Sequence, residues 1–316
     1  MTDLCLNRGK TAGVLQSLCN QKLMAVLNFI LFLIAGLFMV LFWLTPFWLL
    51  YRISDLFRLV FWRLAGYRKS VVMQNLHDCF PDEPEENLKK IEKSTYRNLT
   101  DIITEGIKGF TMTDRQFIKR YRLSNPETIQ PYFDRGQSFI AVTAHFNNWE
   151  WGASSASLQV PFRVVAFYKT LSNPYIDNLL RRTRERRGTS LVSIRETSLT
   201  FEKLKDTPTI FLMAADQNPG KPDNAIWVKF LGRETAFLHG PEKHARANNL
   251  PVVYAHIVRK KRGWYDLVIE PMIENPNELP YGEITRRYAS KLEEEIRANP
   301  GSWLWSHRRW KHRRSE

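Results

Sequence analysis

The sequence predicts an α/β fold: a mainly parallel sheet flanked by helices, preceded by an N-terminal membrane helix. Three observations predict it. Beyond residue 137, short apolar runs alternate with amphipathic stretches, and near-continuous apolar strands separated by helices mark a sheet buried on both faces. Residues 52 to 122 carry apolar positions at helical rather than alternating spacing. Leu23 to Tyr51 supplies 29 consecutive residues without a charge.

The apolar run comes first. Leu23 to Trp43 alone is long enough to cross a bilayer core, which takes about 20 residues. As one helix the whole run would reach about 43 Å, more than a hydrocarbon core of about 30 Å. Its tail, with Trp43, Pro46, Trp48 and Tyr51, is therefore expected to bend into the interface. A cleaved signal peptide is excluded, because the run is too long and no small-residue cleavage site follows. Basic residues flank it, at Arg8, Lys10 and Lys22 before and from Arg52 after. The second group is denser, which favours a cytoplasmic catalytic part. The chain thus divides into a tail and membrane anchor, residues 1–52, and a folded domain, residues 53–316.

Within that domain, Leu56, Leu59, Val60 and Trp62 form an apolar face among arginines. FPDEPEEN (80 to 87) reads as a turn and an acidic helix start, followed by a helix over about 86–109. Strands are expected over 138–144, 162–167, 208–214, 251–258 and 264–271. Helices fit at about 148–157, 174–187, 196–205, 239–248 and 282–297.

Charge narrows the partners. The formal net charge is +14, and +13 of it lies in three segments: 52–69 at +4, 181–187 at +4 and 297–316 at +5. Such patches attract polyanions, and the adjoining apolar run favours anionic lipid and phosphorylated substrates over nucleic acid. Cys5, Cys19 and Cys79 have neither an even count nor metal-type spacing, so no disulfide framework or zinc site is implied. The histidines show no HExxH spacing, and no G-x-S-x-G elbow or Walker loop is present. Neither a metal nor a covalent acyl-enzyme is indicated.

The chemistry concentrates in AVTAHFNNWE, 141 to 150. An apolar strand delivers His145 at its carboxyl end, where sites gather in open α/β sheets. Glu150 lies about one turn into the next helix and is expected to meet the imidazole. It would fix one tautomer, and the other ring nitrogen would take a proton from an attacking hydroxyl. Asp216 closes TIFLMAAD before a loop rich in Gly, Pro and Asn. It reads either as a second site element, ordering an arginine or touching the acceptor, or as a turn-forming residue. Arg181, Arg182, Arg184, Arg186 and Arg187 cannot all face one way on a helix, so one or two could enter the site. The tail SWLWSHRRWKHRR (302 to 314) interleaves Trp with base. It fits stacking on nucleobases, seating at a bilayer interface, or Trp packing near the sheet with arginines outward.

Taken as an ordered set, these segments resemble the lipid A late acyltransferases. The matching features are the apolar anchor, NLHDCFPD (75 to 82), HFNNWE (145 to 150), NPYIDNLLRRTRERRG (173 to 188), AADQNP (214 to 219), FLGRETAFLHGP (230 to 241) and WLWSHRRWK (303 to 311). The resemblance implies a fold related to glycerolipid acyltransferases, which usually carry Asp where this chain has Glu150. It implies His145 and Glu150 as the catalytic pair, a supporting arginine at Arg184 or Arg186, and Asp216 as a further substrate-site residue. It also implies O-acyl transfer from an acyl carrier protein thioester to a hydroxyl of a lipid A precursor, with no metal or other cofactor. The setting would be the cytoplasmic side of a bacterial inner membrane, with acyl carrier protein, the acceptor lipid and membrane phospholipid as partners and no nucleic acid. Two alternatives stand beside it: acylation of a different glycolipid or aminolipid, and a membrane-tethered binder of anionic head groups or nucleic acid.

Overall fold

The computed structural model describes residues 23–314 apart from 25, 35 and 39. Cys5, Cys19, Arg8, Lys10, Lys22 and Glu316 lie outside the described residues.

The apolar run forms two helices. The first, α1 (Val26–Leu44), has high mean hydropathy and is long and apolar enough to cross a membrane. At 1.5 Å per residue it measures about 28 Å. The break comes at Thr45 and Pro46, because proline offers no N–H and is tolerated only at or before a first turn. The second helix, α2 (Phe47–Arg58), runs on into a six-residue π-helical stretch, Leu59–Leu64. Three carbonyls at the end of α1, those of Phe42, Trp43 and Thr45, accept hydrogen bonds from Nζ of Lys108 at 2.7, 2.8 and 2.9 Å. The last carbonyls of a helix have no partner within it and carry its negative end, so this lysine ties the apolar helix to the folded domain.

Three helices follow: α3 (Lys69–Cys79), α4 (Glu85–Gly109) and α5 (Asp114–Arg120). The long α4 was legible from its spacing, and its acidic first turn, Glu85 and Glu86, suits a helix N-terminus. The α/β part then runs β1 (Tyr121–Leu123), α6 (Gln130–Asp134), β2 (Phe139–Thr143), α7 (Trp149–Ser155), β3 (Arg163–Tyr168), α8 (Pro174–Glu185), β4 (Thr189–Ser193), α9 (Thr197–Lys203) and β5 (Thr209–Ala214). A hairpin, β6 (Ile226–Phe230) and β7 (Arg233–Phe237), precedes α10 (Gly240–Ala247), β8 (Val252–Lys261), β9 (Trp264–Ile273) and α11 (Glu283–Ala298).

Seven strands make one sheet in the order β1-β9-β8-β2-β5-β3-β4. Every pairing in it is parallel except β8 with β9. The expected mainly parallel sheet is therefore present. Strands β1 and β4 and the hairpin were not among the expected elements. The central strand β2 reads FIAVT and is buried along almost its whole length, as a strand covered on both faces should be.

One buried carboxylate joins α2 to the sheet. Glu105 of α4 is fully buried and accepts from Tyr51 Oη at 2.8 Å, Asn148 Nδ2 at 2.6 Å and Tyr265 Oη at 2.7 Å. Burial and the charge of Asp101 push its pKa up to about 7, against the pull of Tyr265, Arg259 and Tyr51. Nearby, Asp101 takes Arg259 and Arg262, and Arg262 reaches on to Asp55 of α2. Part of the basic charge is thus internal.

Replacing Glu105 by Ala strands three donors at once. Each buried unsatisfied group costs about 1–3 kcal/mol, so Glu105→Ala is expected to lower stability by about 3 kcal/mol or more. Thermal unfolding in detergent micelles should show the midpoint falling by several degrees; an unchanged midpoint contradicts the assignment.

Candidate active site

The site follows from strand register. β2 and β5 are parallel neighbours with Thr143 opposite Ala214, and Ala215 N donates to Thr143 O at 3.1 Å. His145 and Asp216 each lie two residues past those paired ends. They emerge side by side at the carboxyl edge of the sheet, where the strand ends leave room for a ligand.

Asp216 Oδ1 lies 2.7 Å from His145 Nδ1, and Oδ2 accepts from the His145 backbone N at 3.0 Å. The indole Nε1 of Trp303 donates to the same Oδ2 at 2.9 Å. The carboxylate side chain is 2% exposed and the imidazole 22%. A buried carboxylate needs hydrogen-bond donors, and here three donors meet it. Burial alone would raise the Asp216 pKa, but the charge and hydrogen bonds of His145 and the bond from Trp303 hold it below the usual carboxylate value. Burial alone would lower that of His145. Asp216, by charge and hydrogen bond, and the charge of Glu150 outweigh this and raise it. With Nδ1–H committed to Asp216, Nε2 is the free basic nitrogen.

The expected meeting of His145 with Glu150 is therefore corrected: the carboxylate on the imidazole is Asp216. Glu150 sits in the first turn of α7 and is turned to another partner. It forms an ion pair with Arg184, and its Oε1 accepts from Trp149 Nε1 at 3.1 Å. Its charge reaches His145 through space only. Asp216 likewise neither orders an arginine nor serves merely to shape a turn.

The loop between strand and helix is pinned throughout. Phe146 bridges to Trp303, and Asn147 N donates to Ser302 O at 3.0 Å. Asn147 adopts a left-handed φ of 49°, which Asn tolerates better than most residues, and its Nδ2 donates to Ile257 O at 2.6 Å. Asn148 caps α7 by accepting from Trp151 N at 2.9 Å while donating to Glu105.

Among the five arginines, Arg184 and Arg187 are buried while Arg181, Arg182 and Arg186 are exposed. Arg184 faces inward, paired with Glu150, and Arg186 faces outward. Arg187 is structural: it donates to Thr183 O and Met112 O and lies over the Phe117 ring.

The tryptophan-rich tail folds back as a strap over the site. Trp303 and Trp305 are buried, and so, against the outward placement considered for the arginines, is Arg309. His307 Nε2 accepts from Asn218 N at 3.2 Å, and burial pushes its pKa down to about 4. Trp303 is the site residue that the sequence did not single out; its signal was the WLWSHRRWK segment itself.

An apolar slot lies against one face of the sheet and includes Thr143 and Trp149 in its lining. Its cavity volume is about 70 Å³, and its lining includes Phe139, Ala141 and Thr143 of β2, Leu212 of β5 and Gly152 of α7. Alternate residues of a strand face one side, so the slot follows β2 over about 13 Å from Thr143 to Phe139. Trp149 stands edge-on to the His145 ring, centroids 5.1 Å apart. Among the described residues no three metal-type side chains converge.

An imidazole backed by a buried carboxylate stands at the carboxyl edge of the α/β sheet, two residues past the end of the strand that lines the apolar slot. Residues 19–312 match the family model for bacterial lipid A biosynthesis acyltransferases, and the chain belongs to that family; it is an O-acyltransferase. Relatives include the lipid A biosynthesis lauroyltransferase of Escherichia coli K12, 24% identical over 272 residues (85% of this chain and 87% of the relative). The palmitoleoyltransferase of the same organism is 24% identical over 78% of this chain and 79% of its own. A lipid A biosynthesis acyltransferase of Haemophilus influenzae is 24% identical over 80% and 81%.

Activity should follow deprotonation of Nε2. Because the His145 pKa is raised, the acid limb of kcat/KM is expected above the ordinary imidazole value of about 6.5. Asp216→Asn removes the carboxylate that raises it, so the limb should move to lower pH while kcat falls by about 1,000-fold or more through loss of the correct tautomer. A limb unmoved in Asp216→Asn but displaced in Glu150→Gln would reassign the partner.

Proposed function

We propose that this acyltransferase moves a fatty acyl chain from an acyl carrier protein thioester to a hydroxyl of a lipid A precursor. The proposed setting is the cytoplasmic side of a bacterial inner membrane. The observation that carries the reading is the His145–Asp216 pair at the carboxyl edge of the sheet. The family and the names of the relatives support the acceptor class.

In this reading Nε2 of His145 takes the acceptor's hydroxyl proton as its oxygen attacks the thioester carbonyl. Asp216 holds the tautomer and offsets the imidazolium, and Glu150 adds its charge from farther off. Collapse of the tetrahedral oxyanion expels the carrier thiolate, which takes the proton back from His145. A thiol of pKa about 8.5 leaves far more readily than an alkoxide, so the direction is favourable and no covalent enzyme intermediate is required. Arg184, paired with Glu150, lies on the substrate side as a candidate phosphate contact. The slot would hold part of the acyl chain, at about 0.8 kcal/mol for each methylene removed from water.

Residues 1–52 would anchor the transferase part, 53–316. Around the junction, Trp48, Leu56, Leu59 and Leu64 are exposed beside exposed Arg52 and Arg63. An apolar helical face flanked by arginines suits an interface with anionic lipid, and the exposed arginines of α8 suit an acidic carrier protein.

Two measurements test this. With an acyl carrier thioester and a lipid A precursor, mass spectrometry should find one added acyl group, and His145→Ala should lose at least about 100-fold in turnover while staying in the membrane fraction; retained turnover contradicts the base. Ala141→Phe should fill the slot and shift the transferred chain to shorter lengths. An unchanged product distribution places the chain elsewhere.

A further inference from the structure

The tetrahedral intermediate needs hydrogen-bond donors for its oxyanion, and most polar donors around His145 are already engaged. Arg184 is held by Glu150. Trp303 Nε1 is held by Asp216, and Asn218 N by His307. Arg309 keeps two unpartnered nitrogens but is 2% exposed and bonded to Ala236 O. Gln217 differs. Its side chain is half-buried, and its Nε2 stands 3.3 Å from His145 Nε2, the nitrogen that takes the proton. Since Nδ1 carries its proton toward Asp216, Nε2 is an acceptor, and the group facing it must be the NH₂ of the carboxamide.

We infer that Gln217 is a catalytic residue whose amide rests on the basic nitrogen of His145 and, displaced by the acceptor hydroxyl, donates to the oxyanion. This rests on the acyl-transfer reading above. The resting bond keeps Nε2 unprotonated and aimed. When the hydroxyl takes the amide's place, its oxygen bonds to the thioester carbon and the carbonyl π pair moves onto oxygen. The hydroxyl proton passes to Nε2, which then has no lone pair to offer the amide. The freed N–H lies beside the carbon under attack, where the negative charge has just appeared. The C–S bond then breaks, the carbonyl re-forms, and the thiolate recovers the proton from Nε2. Gln217 neither gains nor loses a proton. Its contribution is larger in the transition state than in the ground state, which is what raises kcat.

Gln217→Leu and Gln217→Glu test this, assayed beside the wild type with an acyl carrier protein thioester and a lipid A precursor. Losing one oxyanion donor should lower kcat by about 100-fold with KM for the thioester nearly unchanged. Both variants also lose the donor that favours neutral Nε2. The acid limb of kcat/KM should therefore move to higher pH, with Asp216, Glu150 and His307 still facing the imidazole in every variant. A packing role alone would move neither the limb nor the balance between kcat and KM. Gln217→Glu keeps the side-chain shape, so it decides the matter should Gln217→Leu fail to fold. Wild-type kcat in either folded variant overturns the inference. Absence of transfer by the wild type overturns the acyl-transfer reading and this assignment with it.

Discussion

The site depends on one constraint: a carboxylate buried at the end of a parallel sheet must be met by hydrogen-bond donors. Asp216 is 2% exposed at its side chain and is met by the His145 ring, the His145 backbone and the Trp303 indole. Removing a partner from such a group leaves an uncompensated buried charge, which is far costlier than the pair is stabilising. The register of β2 on β5 sets two of these donors, and the returning tail sets the third. The reactive nitrogen is aimed as a consequence.

The same economy of partners runs outward. Glu105 connects Tyr51 of α2 to Asn148, the cap of the helix that carries Glu150. Lys108, three residues on, holds the end of the apolar helix. One face of α4 therefore links the apolar helix, the loop that carries His145 and the sheet through polar groups with few alternatives. Such buried networks specify one arrangement when fully satisfied. Several arginines serve inside the fold: Arg184, Arg259 and Arg262 in ion pairs, and Arg187 and Arg309 in the interior. Arg52, Arg63, Arg181, Arg182 and Arg186 are exposed.

Most of the sheet was legible because a strand buried on both faces is a run of apolar residues, and FIAVT, RVVAFY and TIFLMA are such runs. β4 was not, since TSLVS is short and half polar; nor were the hairpin strands, whose pattern carries charges. The prominence of His145 was legible from its place after a strand. Its partner was not. Glu150 is near in sequence, whereas Asp216 becomes near only once β5 lies beside β2, and strand order is not written in local pattern. The choice between Arg184 and Arg186 likewise waited on the rotation of α8, and the role of Trp303 on a chain reversal that brings residue 303 against residue 216.

The central claim is that His145 is held as the Nδ1–H tautomer by Asp216, leaving Nε2 as the base. Nitrogen-15 NMR of histidine-labelled protein in detergent micelles reads this directly, with the His145 resonances identified by their loss in His145→Ala. The account predicts a protonated Nδ1 and an unprotonated Nε2 above the His145 pKa, a pattern that survives Glu150→Gln and collapses in Asp216→Asn. A proton on Nε2, or a pattern indifferent to Asp216→Asn, would contradict it.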